Sequence, residues 1–262
     1  MLFRARGARL AAFMTATTMM TLIAVGKAQT PLLPASKHLD LNQHGWLSYS
    51  GDHPVAGRWG VHFDMQKRRS GGVTEWQQYQ IRPGLNYHAK PNLMLTLGYV
   101  FTRTYPYGDF PVARAFPEHR MYQQALIGRR RGTVSFQHRI RMEQRWIYYP
   151  SNQPAAGATY QNRFRYLVRA EIPLARRADK SVSWYLPVYD EILIGIPPNY
   201  GARPFDQNRV FAGVGYAWGK TKVDAGYLNQ FLGQRNGRVF EMNNTFLVSI
   251  SSTVSIAGLF AN

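Results

Sequence analysis

VSFQHRIRMEQRW, residues 134–146, alternates between two kinds of side chain. Read at every second position, one set is mostly apolar: Val134, Phe136, His138, Ile140 and Met142. The other set is polar and carries most of the charge: Gln137, Arg139, Arg141, Glu143 and Arg145. Since successive side chains of a β-strand point to opposite faces, this pattern predicts a strand with one apolar face and one charged face.

The same alternation recurs along the chain. In residues 160–174, Phe164, Tyr166, Val168, Ala170 and Ile172 alternate with Arg163, Arg165, Leu167, Arg169 and Glu171. Residues 76–87, 92–105 and 206–218 follow the same rule. A helix does not explain the pattern, because Arg163, Arg165 and Arg169 do not share a face at 3.6-residue spacing. Runs of ten or more residues are long for a globular sheet and suit strands that cross a membrane.

The first residues have the features of an export signal. Arg4, Arg6 and Arg9 precede the apolar run of residues 10–25, and the small residues Gly26 and Ala28 suggest cleavage after Ala28. The alternative is a membrane anchor, although the run is shorter than a spanning helix requires. We therefore expect a signal peptide at residues 1–28, an N-terminal extension at 29–43 and one β-barrel domain at 44–262. The chain has no cysteine for a disulfide, a thiolate metal site or lipid attachment.

The net charge of the chain is strongly positive, at +18. The expected signal peptide accounts for four cations and no acidic residue, which leaves +14 for the mature chain. A balance of this kind often indicates a nucleic-acid partner. Export argues against such a partner here, so we expect no nucleic acid.

Two classes of β-protein fit an exported, aromatic-rich chain without long apolar runs. In a soluble sandwich the apolar faces pack together and the charge lies outside. In a membrane barrel the apolar faces contact lipid, and the polar faces line the lumen. Strand length, export and the aromatic content of 14% favour the barrel. The six tryptophans lie mostly near predicted strand ends, which suits the aromatic bands at the two membrane interfaces.

Connector lengths also favour a barrel. Short connectors at 88–92, 129–132, 175–181 and 218–220 alternate with longer ones at 104–117, 149–159 and 195–206, as turns and outer loops alternate in outer-membrane barrels. This assignment gives ten strands between Arg58 and Ser251. Residues 44–50 could add a strand or a lumenal segment, and residues 253–260 could add a final strand. We expect an all-β, transmembrane antiparallel barrel of ten to twelve strands, with an even number favoured.

Several segments, in order and spacing, resemble one protein family. They are RIRMEQR (139–145), RFRYLVRAEIPL (163–174), YDE (189–191), DQNRVFAGVGY (206–216) and DAGYLNQ (224–230). Together they resemble the uncharacterised bacterial outer-membrane barrel family known as domain of unknown function 2490, over about Gln43 to Ser251. The resemblance implies an outer-membrane β-barrel. It implies no reaction, ligand or active site, and the tail after Ser251 departs from the pattern.

The candidate site is the charged interior. The expected lumenal network comprises Arg139, Arg141, Glu143, Arg145, Arg163, Arg165, Arg169, Glu171, Glu191, Gln207 and Arg209. If acidic residues, including Glu118 and Glu191, pair with these arginines, the network closes the lumen, because buried ions require partners. If they do not, a water-filled, arginine-lined pore would favour small anions.

Enzymatic chemistry has weak support in the sequence. None of the seven histidines has a serine two residues further on, and His138 lies on the apolar face of its strand. Glu118 and Glu143 could form an acid–base pair, but a salt-bridge role is favoured. The sequence offers no phosphate loop, nucleophile elbow or spaced metal ligands, so we expect no catalytic residue, no metal and no cofactor.

These observations predict a non-enzymatic outer-membrane barrel of a Gram-negative bacterium, in contact with outer-membrane lipid. Its interior is electropositive and arginine-rich, and its role is structural or that of a narrow anion-conducting channel. The alternatives are an outer-leaflet lipid-modifying enzyme of the acyl hydrolase type and a soluble periplasmic β-rich binding module.

Overall fold

The computed structural model describes residues 36–150, 157–176, 182–197, 204–234 and 236–257. Within these residues the chain forms eleven strands and no α-helix. The strands are β1 (His38–Ala56), β2 (Trp59–Ser70), β3 (Glu75–Lys90), β4 (Leu93–Thr104), β5 (Phe116–Arg131), β6 (Val134–Ile147), β7 (Thr159–Arg176), β8 (Val182–Ile196), β9 (Phe205–Trp218), β10 (Thr221–Gly233) and β11 (Val239–Ser252).

The eleven strands close into one barrel. Each strand from β2 to β11 pairs antiparallel with its neighbours in sequence, and β1 lies between β2 and β11. Closure leaves no edge strand with unpaired backbone groups. The predicted all-β barrel of ten to twelve strands is therefore confirmed.

The prediction of a purely antiparallel barrel with an even strand number is wrong. β1 and β11 pair in parallel, with His38 opposite Val239 and Gly51 opposite Ser252. An odd number of strands forces one parallel pair, because the first and last strands of the meander then run in the same direction. The ten strands predicted from Arg58 onward correspond to β2–β11, and residues 44–50 belong to the additional strand β1.

Two of the boundaries expected for the barrel differ from those in the structure. β1 begins at His38, within the stretch expected to precede the barrel. Residues 253–257 are not a strand, so the suggested final strand does not form over them, and residues 258–260 lie outside the described residues. The expected signal peptide, residues 1–28, also lies outside the described residues.

The barrel has two different ends. β1, β3, β5, β7 and β9 finish at one end, called here the turn end, where β11 also finishes; the connectors described there are 57–58, 91–92, 132–133 and 219–220. β2, β4, β6, β8 and β10 finish at the opposite, long-loop end, where β1 begins; the connectors described there in full are 71–74 and 105–115. Counted between strand ends, the predicted alternation of shorter and longer connectors is present from β3 to β10, whereas the intervals after β2 and after β10 are only four and five residues long.

Large apolar side chains remain exposed on the outer face. Leu97 is 54% exposed, Phe246 62% and Trp218 72%. Four other tryptophans also point outward near strand ends, but Trp46 is 7% exposed and lies inside the barrel, so its expected place in an aromatic band is wrong. No helix among the described residues is long and apolar enough to cross a membrane.

Candidate functional site in the barrel lumen

Glu143 of β6 is the centre of the charged interior. Its side chain is fully buried. Arg163 approaches one carboxylate oxygen to 2.5 Å through Nη2, and Arg165 approaches the other to 2.7 Å through Nη1. Arg120 and Arg141 lie further away, at 3.9 and 3.8 Å. Strands β5, β6 and β7 place all these residues on their inner faces, so four guanidinium groups surround one carboxylate.

Glu118 and Glu191 extend this arrangement to either side. Glu118 accepts hydrogen bonds from Arg120, at 2.7 Å, and from Arg145, at 2.5 Å. Glu191 accepts from Arg165 at 2.6 Å and from Arg139 at 2.8 Å. Arg209 of β9 reaches its second oxygen at 3.3 Å. We call these three glutamates and the arginines that pair with them the central network; it runs from β5 to β9.

The remaining residues of the expected network lie at its margins. Arg169 pairs with Glu171 and with Asp224 of β10, the latter at 2.7 Å. Gln207 accepts from both Nε and Nη2 of Arg209. All eleven side chains expected in the lumen thus point inward, but Arg169 and Glu171 form a separate group with Asp224 and Lys222.

Two cavities flank the central network. One has a volume of about 350 Å³ and opens at the turn end, beside Lys220 and Thr253. The other, at the long-loop end, has a volume of about 140 Å³. Arg165 and Arg209 line both cavities, so their side chains form part of the wall between them. The central network therefore divides the lumen.

The cavity at the long-loop end is the smaller of the two because loop 105–115 occupies part of the lumen there. Tyr107 lines that cavity and donates a hydrogen bond to Glu241 of β11, at 2.7 Å. Burial raises the pKa of the Tyr107 phenol well above its usual range, and the neighbouring Glu241 carboxylate acts in the same direction. Tyr107 consequently keeps its proton as a donor. Gln234 also donates to the carbonyl of Phe110, so this loop is held over the end of the barrel.

Trp46 has a role that the sequence analysis missed. Its indole lies between two cations, with the guanidinium of Arg68 at 3.9 Å and that of Arg209 at 5.5 Å from the ring centre. Its Nε1 donates to Gln77 at 2.8 Å. No carboxylate of the described residues lies within salt-bridge distance of Arg68, which is 5% exposed. Arg68 donates to Gln66 at 2.6 Å, and the ring takes the place of a carboxylate as the second partner of this buried cation.

Polar side chains of β1, β2 and β3 form two further groups of contacts. Asp52 accepts from His62 Nδ1 at 2.7 Å and from Asn86 at 2.8 Å, and Arg82 pairs with Asp64 at 2.9 Å. The other ring nitrogen of His62 is buried without a hydrogen-bond partner among the described residues. The signal for this wall was present, because His62, Asp64, Gln66 and Arg68 occupy alternate positions of one strand.

The three candidates for catalysis lie on different faces of the barrel wall. His138 lies on the outer face, where its Nδ1 is 2.8 Å from the hydroxyl of Tyr166. Glu118 and Glu143 are each held by arginines. Within the described residues no cluster of three or more histidine, aspartate or glutamate side chains could hold a metal ion.

Comparison with known proteins identifies the chain only at the level of a family. The sequence model of a family described as "Protein of unknown function (DUF2490)" matches residues 43–241. An uncharacterized protein of Methylorubrum extorquens is 28% identical over 174 residues, which is 64% of this chain and 69% of that protein. No solved structure matches the chain.

Proposed function

We propose, on the premise that this chain belongs to the family described as Protein of unknown function (DUF2490), that it is a structural outer-membrane barrel with a closed lumen. The predicted family is thereby confirmed, and the family itself has no established activity. Both faces of the barrel wall support the proposal.

The outer face supports a location in a membrane. On β3, Trp76 lies near the long-loop end and Tyr87 near the turn end, with Ile81 and Leu85 exposed between them. The eleven residue steps from Trp76 to Tyr87, at about 3.4 Å each and tilted by about 40°, span about 29 Å along the barrel axis. This height is close to the apolar band of about 25 Å that outer-membrane barrels present to lipid. Ring pairs at both ends, such as Trp184–Tyr216 and Trp146–Tyr160, fit aromatic bands at the two interfaces.

The inner face supports a closed lumen. The closed lumen is inferred from the environment of Glu143. Its side chain has no exposed surface, and each of its carboxylate oxygens contacts an arginine of β7. Through Glu118 and Glu191, paired side chains continue from β5 to β9, and two members of the network line both cavities. An ion crossing the barrel would have to break several buried charge-assisted hydrogen bonds, which are among the strongest in proteins.

Narrow anion conduction is the second candidate. It is favoured by one observation, namely that the central network contains more arginines than glutamates. Arg141 illustrates this surplus, since its nearest carboxylate is 3.8 Å away and its Nη1 has no hydrogen-bond partner among the described residues. If the network opened, the exposed guanidinium groups would select anions.

Conductance of the refolded protein in a planar bilayer distinguishes the two candidates. We expect no stable conductance from the wild type. Replacing Arg165, which lines both cavities, by Ala should open a path and give anion-selective current. Anion-selective current from the wild type, reduced by double replacement of Arg141 and Arg165 by Gln, would reject the closed barrel. Recovery of the wild type as a soluble periplasmic protein would reject the membrane location.

A further inference from the structure

The turn-end cavity has the dimensions and lining of a binding site. Its volume of about 350 Å³ falls within the range of about 300–1,000 Å³ that is usual for ligand pockets. Its floor contains Trp46, Phe211 and Leu247, which form one buried apolar cluster, and Tyr189 stacks on Phe211 at 5.0 Å. An aromatic floor with polar walls is the usual composition of such pockets.

One wall of the cavity is cationic. Eight arginine and lysine side chains line the cavity against five aspartates and glutamates. Of the cavity-lining arginines on β6 and β7, Arg139 makes the fewest side-chain hydrogen bonds. Its Nη2 donates to Glu191, but its Nε is buried without a hydrogen-bond partner among the described residues. Arg82 also lines the cavity, is 3% exposed and has an unpartnered Nε. This surplus of positive charge and of unused N–H donors favours an anion.

The opposite wall is a ladder of hydroxyl groups. Across the parallel pairing of β1 and β11, Ser48 lies opposite Ser249 and Ser50 opposite Ser251, and all four line the cavity. None of these four hydroxyls has a hydrogen-bond partner among the described residues, and each side chain is partly exposed. Hydroxyl groups both donate and accept hydrogen bonds, so this wall suits a ligand that is itself hydroxylated.

The rim around the mouth carries positive charge without exposed acidic residues. Six exposed cations lie in or beside the turns, namely Arg58, Lys90, Arg129, Arg130, Arg131 and Lys220. In the part of the chain that the structure describes, no exposed aspartate or glutamate lies at this end, and none of the six forms a salt bridge. Such a rim raises the local concentration of anions and their rate of entry.

We propose that the turn-end cavity binds a small hydroxylated anion of the sugar-acid class. The cationic wall takes the carboxylate, the serine ladder takes hydroxyl groups, and the aromatic floor packs against the carbon skeleton. The site lies on one side of the central network, so binding requires no passage through the barrel. This inference goes beyond the structural role and is independent of conductance.

The test uses calorimetric titration of the purified full-length barrel in detergent with three probes. Gluconate has both charge and hydroxyl groups, acetate has the charge alone, and glucose has the hydroxyl groups alone. We expect saturable binding of gluconate at least tenfold tighter than that of acetate or glucose, because only gluconate uses both walls. Equal affinity for gluconate and acetate, or no saturable binding of gluconate, would overturn the proposal.

Variants locate the site. Ser249→Val and Arg139→Gln should each weaken gluconate binding at least fivefold. Because Arg139 also belongs to the central network, a second variant, Lys220→Gln, tests the site with that network intact. Lys220 lines the cavity from an exposed turn at the mouth, so this variant should weaken gluconate binding. The matched control is Lys67→Gln, which removes an exposed cation from the outer face near the long-loop end and should leave the affinity unchanged. Equal losses in Lys67→Gln and Lys220→Gln would indicate general charge attraction and reject the site.

Discussion

Glu143 explains how one strand face can hold so many arginines. Arg141 of β6 lies directly opposite Arg165 of β7, a pairing of like charges that is unfavourable by itself. Glu143 lies one inward position along β6 from Arg141, opposite Arg163, and contacts Arg165 diagonally. Buried charges are expensive to desolvate and remain tolerable when well paired. The repulsion between the two strands is therefore offset by one carboxylate that serves both.

Removing the charge of Glu143 should strongly destabilise the barrel. Glu143→Gln leaves Arg163 and Arg165 buried with a neutral partner, and breaking a buried pair in this way costs about 3–5 kcal/mol. The measurement is the free energy of unfolding in urea, with the protein refolded into lipid vesicles. Glu75→Gln is the control, since Glu75 is exposed and forms no salt bridge among the described residues; we expect a change within about 0.5 kcal/mol.

An equal unfolding free energy for the wild type and Glu143→Gln would contradict the role of the central network. It would mean that water enters the lumen and screens the arginines, as in an open pore.

At the scale of the strands, β1 is the element that makes the barrel unusual. Without β1, the ten strands β2–β11 would form an antiparallel meander whose first and last strands also run in opposite directions. β1 lies between these two strands and pairs with both, antiparallel to β2 and parallel to β11. It supplies Trp46 and half of the serine ladder, so the added strand contributes to both cavity floor and cavity wall.

Cysteine pairs can test the register of the parallel pairing. Ser50 and Ser251 are direct partners across β1 and β11, so their Cβ atoms lie close enough for a disulfide after modest adjustment. Because the chain has no cysteine, Ser50→Cys combined with Ser251→Cys should form one intramolecular disulfide under mild oxidation. Mass spectrometry after proteolysis identifies the linked peptides. Ser50→Cys with Thr245→Cys, six residues away in register, should not cross-link; the reverse result would exclude this pairing.

The sequence predicted β2–β11 well because most of these strands alternate between apolar and polar residues; β8, which is largely apolar on both faces, is the exception. β1 was left uncertain for a physical reason: its inward residues include Trp46, and its outward residues include Gln43 and Gly45, so hydropathy does not alternate. The parallel direction of the β1–β11 pairing could not be predicted either, because the residue pattern of one strand contains no information on the direction of its neighbour. An even strand number is a general tendency and not a requirement of closure.

The site was predictable in part for the same reason. Alternation placed the arginines of β6 and β7 on one face and identified Glu118 and Glu191 as possible partners. It did not show that Arg139 reaches Glu191 across β7, because that contact depends on the tilt and register of three strands. The pairing of Arg68 with Trp46 required the position of β1, which periodicity did not provide.

At the scale of the whole molecule, the two ends differ in charge and in loop length. The turn end carries the six exposed cations described above and no exposed acid among the described residues, whereas the long-loop end mixes the exposed acids Glu75 and Asp109 with exposed cations such as Lys37, Arg114 and Arg238. In outer-membrane barrels short turns face the periplasm and longer loops face outward. We therefore expect the cationic rim and the larger cavity to face the periplasm.

Labelling of single cysteines tests this orientation. Glu75→Cys, at the long-loop end, should react in intact cells with a maleimide that does not cross membranes. Asn92→Cys, in an exposed turn at the other end, should react only after the outer membrane is permeabilised. The control is the cysteine-free wild type, which should remain unlabelled. Labelling of Asn92→Cys alone in intact cells would reverse the orientation, and equal labelling of both would argue against a membrane-spanning barrel.

Circular permutation of this barrel is hindered by the parallel pairing of β1 with β11. In a barrel with an even number of strands, the first strand begins at the same rim at which the last strand ends, so a short linker can join these two ends. Here β1 begins at the long-loop end and β11 finishes at the turn end, so a linker would have to cover the length of β11, about 46 Å for its 14 residues. Inside the barrel it would meet the central network, and outside it would cross the apolar wall. New termini are therefore better created by splitting the chain than by rejoining it.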